Sequence, residues 1–207
     1  MSIEERTVAD PTAGPYALTT GPDGALWFTL VHSGRLGRLV PVGEPTSHRL
    51  DPDCGPTVIT PGPDGALWFT EYRADRIGRI TTDGVIDEFA LPTPGCGPFG
   101  IAAGPDGALW FTEIAAGQIG RITPDGRITE FPLPDRTARP HAVTVDDDGT
   151  VWFTEWGGNR VGALTPDGSL TVHDLPTPRS EPHGIAVGPD GALWTALETG
   201  ALARITT

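Results

Sequence analysis

His141 and His183 lie 42 residues apart, each directly behind a proline, and two positions before them stand Arg139 and Glu181. Glu198, four residues beyond Trp194, belongs with them. An imidazole takes up a proton near neutral pH. Two carboxylates facing it offer hard oxygens to a cation such as Mg²⁺, which takes one or two protein carboxylates and keeps several waters. Such a set could perform metal-assisted proton transfer. The same side chains would also make a structural ion pair or a solvated rim, and a single histidine at a strand start commonly just caps the strand. What sets these residues apart is the frame they interrupt.

That frame is a repeat of about 42 residues. Gly-Pro-Asp-Gly-Ala-Leu-Trp occurs at 21–27, 62–68, 104–110 and 188–194, with a degenerate copy at 146–152. Trp27, Trp68, Trp110, Trp152 and Trp194 follow one another at intervals of 41, 42, 42 and 42. The residues after the strand-opening prolines form a parallel series, Tyr16, Thr57, Phe99, His141 and His183; two positions earlier run Gly14, Gly55, Gly97, Arg139 and Glu181. Four after each tryptophan stand Val31, Tyr72, Ile114, Trp156 and Glu198. In a repeat the frame reports packing and departures from it report function. Glu71, Glu113 and Glu155 share one phase and therefore read as structural hydrogen-bonding groups. The run Asp146-Asp147-Asp148-Gly149 lacks the ligand spacing of an EF-hand loop and reads as a turn. His32, His48 and His173 take no role.

Each unit divides into four short strands rich in β-branched and aromatic residues, as at 100–103, 108–112, 118–122 and 127–131, separated by Pro-Asp-Gly turn signals. Four antiparallel strands per unit of this length predict an all-β fold, a five-bladed β-propeller in a single domain over 1–207. The repeats run approximately over 14–54, 55–96, 97–138, 139–180 and 181–207, the last joined by 1–13. The last unit carries only three strands, and Ile3 has the phase of Ile86, Ile128 and Leu170 in fourth strands. Residues 3–8 are therefore expected to pair with the strand around 201–206, closing the ring and covering its edge. Innermost strands surround the axis, so the Tyr16 to His183 series should ring one mouth of the channel. The second strand ends at the same mouth, which brings Glu198 toward Glu181 and His183.

Composition narrows the function classes. A net charge of -13 leaves no basic face for phosphates or an anionic bilayer, so neither nucleic acid nor membrane is an expected partner. The 28 glycines and 22 prolines recur in phase and act as turn punctuation. No apolar run reaches membrane-spanning length and the first residues do not resemble a signal peptide, so a cytoplasmic, monomeric protein is expected. Cys54 and Cys96 are too few for a disulfide framework and read as reduced structural thiols, although their matching phase keeps a pairing open.

Trp-Phe-Thr-Glu followed by Ile-Gly-Arg-Ile-Thr and Ile-Thr-Glu-Phe-Pro-Leu-Pro resembles the repeat of the streptogramin B (virginiamycin B) lyases, over nearly the whole chain. Arg139-Pro140-His141-Ala142, Trp152 to Gly157, Glu181-Pro182-His183-Gly184 and Trp194 to Glu198 resemble the family's catalytic half, and Gly14-Pro15-Tyr16 its substrate-contacting motif. The resemblance implies a Mg²⁺-dependent carbon–oxygen lyase that opens a cyclic depsipeptide by elimination. It implies His183 as general base, Glu181 and Glu198 as metal ligands directly or through water, and His141 and Tyr16 in contact with substrate or metal-bound groups. The family's propellers have seven blades, whereas this chain has five repeats. Two other functions fit the frame: a metal-dependent lactone hydrolase, and a non-enzymatic binding module or scaffold.

Overall fold

The computed structural model describes residues 3–206, which contain strands and turns but no helix. The first sheet comprises β1 (Pro15–Thr20), β2 (Leu26–Leu30), β3 (Arg35–Leu39) and β4 (Thr46–Arg49); the second β5 (Pro56–Pro61), β6 (Leu67–Glu71), β7 (Arg76–Ile80) and β8 (Ile86–Ala90). The third is built from β9 (Pro98–Ala103), β10 (Leu109–Glu113), β11 (Gln118–Ile122) and β12 (Ile128–Pro132), and the fourth from β13 (Pro140–Val145), β14 (Val151–Glu155), β15 (Arg160–Leu164) and β16 (Leu170–Asp174). The last sheet has three strands, β17 (Pro182–Val187), β18 (Leu193–Leu197) and β19 (Ala201–Ile205). Each sheet is an antiparallel meander in sequence order, so one repeat makes one blade-like sheet.

The repeated turn is a clamp. Asp23 accepts the indole N–H of Trp27 on Oδ1 (3.0 Å) and the Arg38 Nε–H on Oδ2 (2.7 Å); Asp64, Asp106 and Asp190 hold Trp68 and Arg79, Trp110 and Arg121, Trp194 and Arg204 in the same way. One carboxylate thus ties the β-turn to two strands and satisfies a buried donor. In the fourth sheet Trp152 turns to Asp146 (2.8 Å) and the arginine is replaced by Ala163, so the aspartate run is a turn variant. In the four four-stranded sheets an outer-strand ring covers the tryptophan: His48 stacks on Trp27 and His173 on Trp152, where Phe89 and Phe131 cover Trp68 and Trp110.

Between sheets the same apolar seam recurs. Trp27 and Leu36 pack on Ile59, Leu67, Phe69 and Ile80 of the next sheet. The equivalent residues of later repeats build the seams around Phe111, Phe153 and Leu193. A hydroxyl sits within each seam at the inner strand. Thr29, Thr70, Thr112 and Thr154 donate to the carbonyls of Thr57, Phe99, His141 and His183 at 2.7, 2.7, 2.8 and 2.9 Å. Each of these hydroxyls also accepts an N–H from its own inner strand, at Ala17, Val58, Gly100 and Ala142.

The expected ring closure by the N-terminal strand is not what the chain does. Residues 3–8 form no strand: Val8 and Ala9 pack on Phe28, Leu30 and Leu39, and Arg6 donates to the carbonyls of Pro41 and Gly43, all in the first repeat. Inner strands pack in series, β1 on β5, β5 on β9, β9 on β13 and β13 on β17, and among the described residues no such packing joins β17 to β1. The reason lies in the seam. Tryptophan against isoleucine, leucine and phenylalanine fills each seam between neighbouring sheets, and four such seams join the five sheets without bringing the last onto the first. Cys54 and Cys96 are both free and buried, and burial pushes the Cys54 thiol up to about 12.

Candidate active site

Each inner strand opens with a β-bulge. The ladder pairs Pro140 with Glu155 and resumes at Val143 with Phe153; it pairs Pro182 with Leu197 and resumes at Ile185 with Thr195. His141 and His183 sit in these bulges, and bulges re-aim side chains away from the ladder. The seam threonines hold both residues by their carbonyls, so the backbone at each histidine is fixed by the preceding sheet.

The mouth series makes a continuous row of rings. Tyr16 lies edge-on to Phe99 at 6.3 Å, Tyr72 edge-on to Phe99 at 6.1 Å, Phe99 against His141 at 4.4 Å, and His141 edge-on to His183 at 4.9 Å. The small Thr57, buried with its hydroxyl on Thr70 at 2.7 Å, leaves room for Tyr16 to reach past it to Phe99. At the far end of the row His183 Nε2 bonds Glu198 Oε1 at 2.8 Å. Glu181 Oε2 accepts the Trp156 indole N–H at 3.3 Å, and the Arg139 guanidinium lies 4.7 Å over the Trp156 ring. Burial, reinforced by the neighbouring His183, lowers the pKa of His141 to about 4, so His141 is neutral at pH 7.

His183, Glu198 and His141 are therefore brought into direct contact. Glu181 joins them through Trp156, and Tyr16 lies at the other end of the aromatic row. No three His, Cys, Asp or Glu side chains converge as a metal-binding group among the described residues. Glu181 and Glu198 each use one carboxylate oxygen in the bonds above. The remaining hard oxygens suit a Mg²⁺ that keeps most of its waters. Glu71, Glu113 and Glu155 are buried and bonded to Arg76, Gln118 and Arg160 of the neighbouring strand at 2.6, 2.7 and 2.6 Å.

Two features escaped the sequence reading. Trp156 and Phe99 stand in the irregular series, yet only the structure makes one the link between Arg139 and Glu181 and the other the middle of the ring row. The backbone at Arg139 and Glu181 is left-handed, with φ of 53° and 46°, where Gly14, Gly55 and Gly97 have 66°, 60° and 61°. A side chain there costs about 1 kcal/mol or more. That strain is retained at the two repeats that carry the histidines. Glu181→Gly is accordingly expected to stabilise the fold by about 1 kcal/mol while removing the carboxylate. A denaturation midpoint that does not rise would show that position 181 carries no strain.

A model of the Virginiamycin B lyase family matches residues 1–116 and 100–205. The virginiamycin B lyase of Saccharopolyspora erythraea is 61% identical over 94 residues, 45% of this chain and 31% of that protein. The Streptomyces coelicolor virginiamycin B lyase is 60% identical over 48 residues, 23% of this chain and 16% of the relative. These matches span less than a third of either curated relative. The crystal structure of virginiamycin B lyase from Staphylococcus aureus superposes with a TM-score of 0.95 and 43% identity, over 99% of this chain and 70% of that one. A catalytically inactive histidine-to-alanine variant of the same enzyme with quinupristin superposes at 0.94, again with 43% identity over 99% and 70%.

Proposed function

Because the chain belongs to the virginiamycin B lyase family, we propose that it opens the ester of a streptogramin B type cyclic depsipeptide by elimination, with His183 as the base. The five sheets are then five blades of a propeller, with the reacting groups at one mouth of its channel. The observation that carries this reading is the 2.8 Å bond between His183 Nε2 and Glu198 Oε1, beside a neutral His141. The S. aureus relative whose histidine was replaced by alanine is catalytically inactive and was solved with quinupristin, which supports a histidine-dependent reaction on that class of substrate.

With Glu198 ionised, Nε2–H of His183 donates to it and the lone pair stays on Nδ1. Nδ1 accepts the substrate C–H proton, the released electron pair forms a carbon–carbon double bond, and the carbon–oxygen bond breaks with the ester oxygen leaving as carboxylate. Glu198 stabilises the imidazolium so formed, as an orienting carboxylate does elsewhere. The free oxygens of Glu181 and Glu198 would hold Mg²⁺, which supplies Lewis-acid polarisation of the substrate carbonyl. The uncharged His141 and the ring row through Phe99 to Tyr16 offer an apolar and aromatic surface for the rest of the ligand.

The test is incubation with quinupristin, with Mg²⁺ and with chelator, followed by mass analysis. A ring-opened product of unchanged mass, formed only with the metal, is expected. A product one water heavier would replace elimination by hydrolysis, and intact quinupristin under both conditions would leave a binding module.

A further inference from the structure

We propose that Asn159 is a positioning residue for both glutamates of the candidate site, acting through the buried Ser180; this rests on His183 and Glu198 being the reacting pair. Asn159 lies in the β14–β15 turn, and its Oδ1 accepts both the N–H and the Oγ–H of Ser180, each at 2.7 Å. Ser180 is fully buried. Its carbonyl in turn accepts the N–H of Glu198 at 2.9 Å, and Glu181 follows it directly in the chain. Both carboxylates therefore leave a main chain that one amide side chain fixes.

A difference of one residue in the last sheet gives Ser180 this place. The turn between the second and third strands has four residues in the first four sheets, 31–34, 72–75, 114–117 and 156–159, but three in the last, 198–200. In the fourth sheet the first N–H of the turn, from Trp156, goes to the carbonyl of Arg139, and the second, from Gly157, to that of Ala138. The first three sheets bond in the same pattern. Glu198 is the first residue of its turn, yet it bonds as a second one: its N–H goes to Ser180, the counterpart of Ala138. The shorter turn thus moves Glu198 one step along, where its Oε1 meets His183 Nε2 at 2.8 Å.

The side chain at 159 is an addition to a frame that works without one. At its phase stand Gly34, Asp75, Gly117, Asn159 and Gly200, all left-handed, with Asn159 at φ 55°. In the first four sheets the main-chain carbonyl at this phase accepts the N–H of Leu50, Leu91, Leu133 and Leu175, whatever the residue. Glycine therefore serves the turn as well as asparagine does. Asp75, at φ 50°, uses its carboxylate on the N–H groups of Gly95 and Gly97, so an aspartate fits here too. Asn159 adds a second hold on the loop before Ser180, because its Nδ2 donates to the Thr177 carbonyl at 3.0 Å.

The test reads the His183 tautomer in the metal-free protein, from imidazole nitrogen chemical shifts at a pH where the ring is neutral, with the signals assigned through His183→Ala. A fixed Glu198 carboxylate holds the proton on Nε2. Asn159→Gly keeps the left-handed turn without strain and should turn the parent's Nε2–H form into a mixture of both tautomers. Asn159→Asp, which retains the acceptor for Ser180, should restore the single form. On quinupristin, Asn159→Gly should lower kcat by about ten- to a hundredfold, the cost of misplacing a reacting group. KM should stay nearly unchanged, and Asn159→Asp should recover the rate. A folded Asn159→Gly protein that keeps the Nε2–H form would overturn the proposal, as would a mixture that Asn159→Asp does not correct. Ser180→Ala decides if the glycine variant does not fold: alanine already fits this phase at Ala13 and Ala138, and an unchanged tautomer there would equally overturn the proposal. The tautomer is read without substrate, so a parent inactive on quinupristin would end the lyase reading while the place of Asn159 is still decided.

Discussion

His183→Ala is expected to lower turnover of quinupristin by about two to four orders of magnitude, the usual worth of a positioned general base. The substituted side chain is 37% exposed, and the main chain at 183 is held through its carbonyl by Thr154, so the unfolding temperature should stay near that of the parent. Glu198→Gln separates orientation from proton transfer. The amide can still bond Nε2, but it neither stabilises an imidazolium nor binds magnesium as a carboxylate does. Its loss should therefore combine a lower rate with a weaker Mg²⁺ dependence. Parent-level turnover by His183→Ala would move the role of base elsewhere, and His141, 4.9 Å away, would be the group to replace next.

Glu113→Gln is expected to stabilise the protein by about 3 kcal/mol above pH 7 and by little near pH 4. Glu113 is fully buried, no cation bonds its carboxylate, and Oε2 accepts from the neutral amide of Gln118. Burial raises its pKa from 4.5 to about 7. A carboxyl raised in the folded state contributes fully below its unfolded value, and that contribution is lost as pH rises through the folded one. The parent should accordingly lose stability between about pH 4.5 and 7, and the amide variant should lose less over that range, keeping the part that comes from Glu71, which burial also raises to about 7. Urea midpoints at pH 4 and pH 8 for both proteins test this. Equal pH dependence in parent and variant would mean that Glu113 is not the group responsible.

The repeat made the fold legible. Trp27, Trp68, Trp110, Trp152 and Trp194 mark one sheet each, and the aspartate of each of the four Gly-Pro-Asp-Gly turns clamps its own tryptophan. Glu71 and Glu155 are structural partners of Arg76 and Arg160, as their shared phase implied. Ring closure was not legible, because strand counting says how many sheets there are and nothing about the angle between them. That angle depends on side chains meeting across a seam, such as Trp68 on Phe111. The candidate site was legible where it broke the frame, at His183 and Glu198. The left-handed backbone at Arg139 and Glu181 was visible only as a missing glycine, and the reach of Thr112 to His141 spans 29 residues and two units.

The threonine link between sheets has a consequence for how such a molecule can change. It grips the main chain at positions 57, 99, 141 and 183 and makes no demand on the side chain there. Threonine, phenylalanine and histidine already occupy equivalent sockets without disturbing the scaffold. Those positions behave as interchangeable addresses, so a lineage or a designed library could rewrite the chemistry of the mouth one letter at a time while the architecture stays constant.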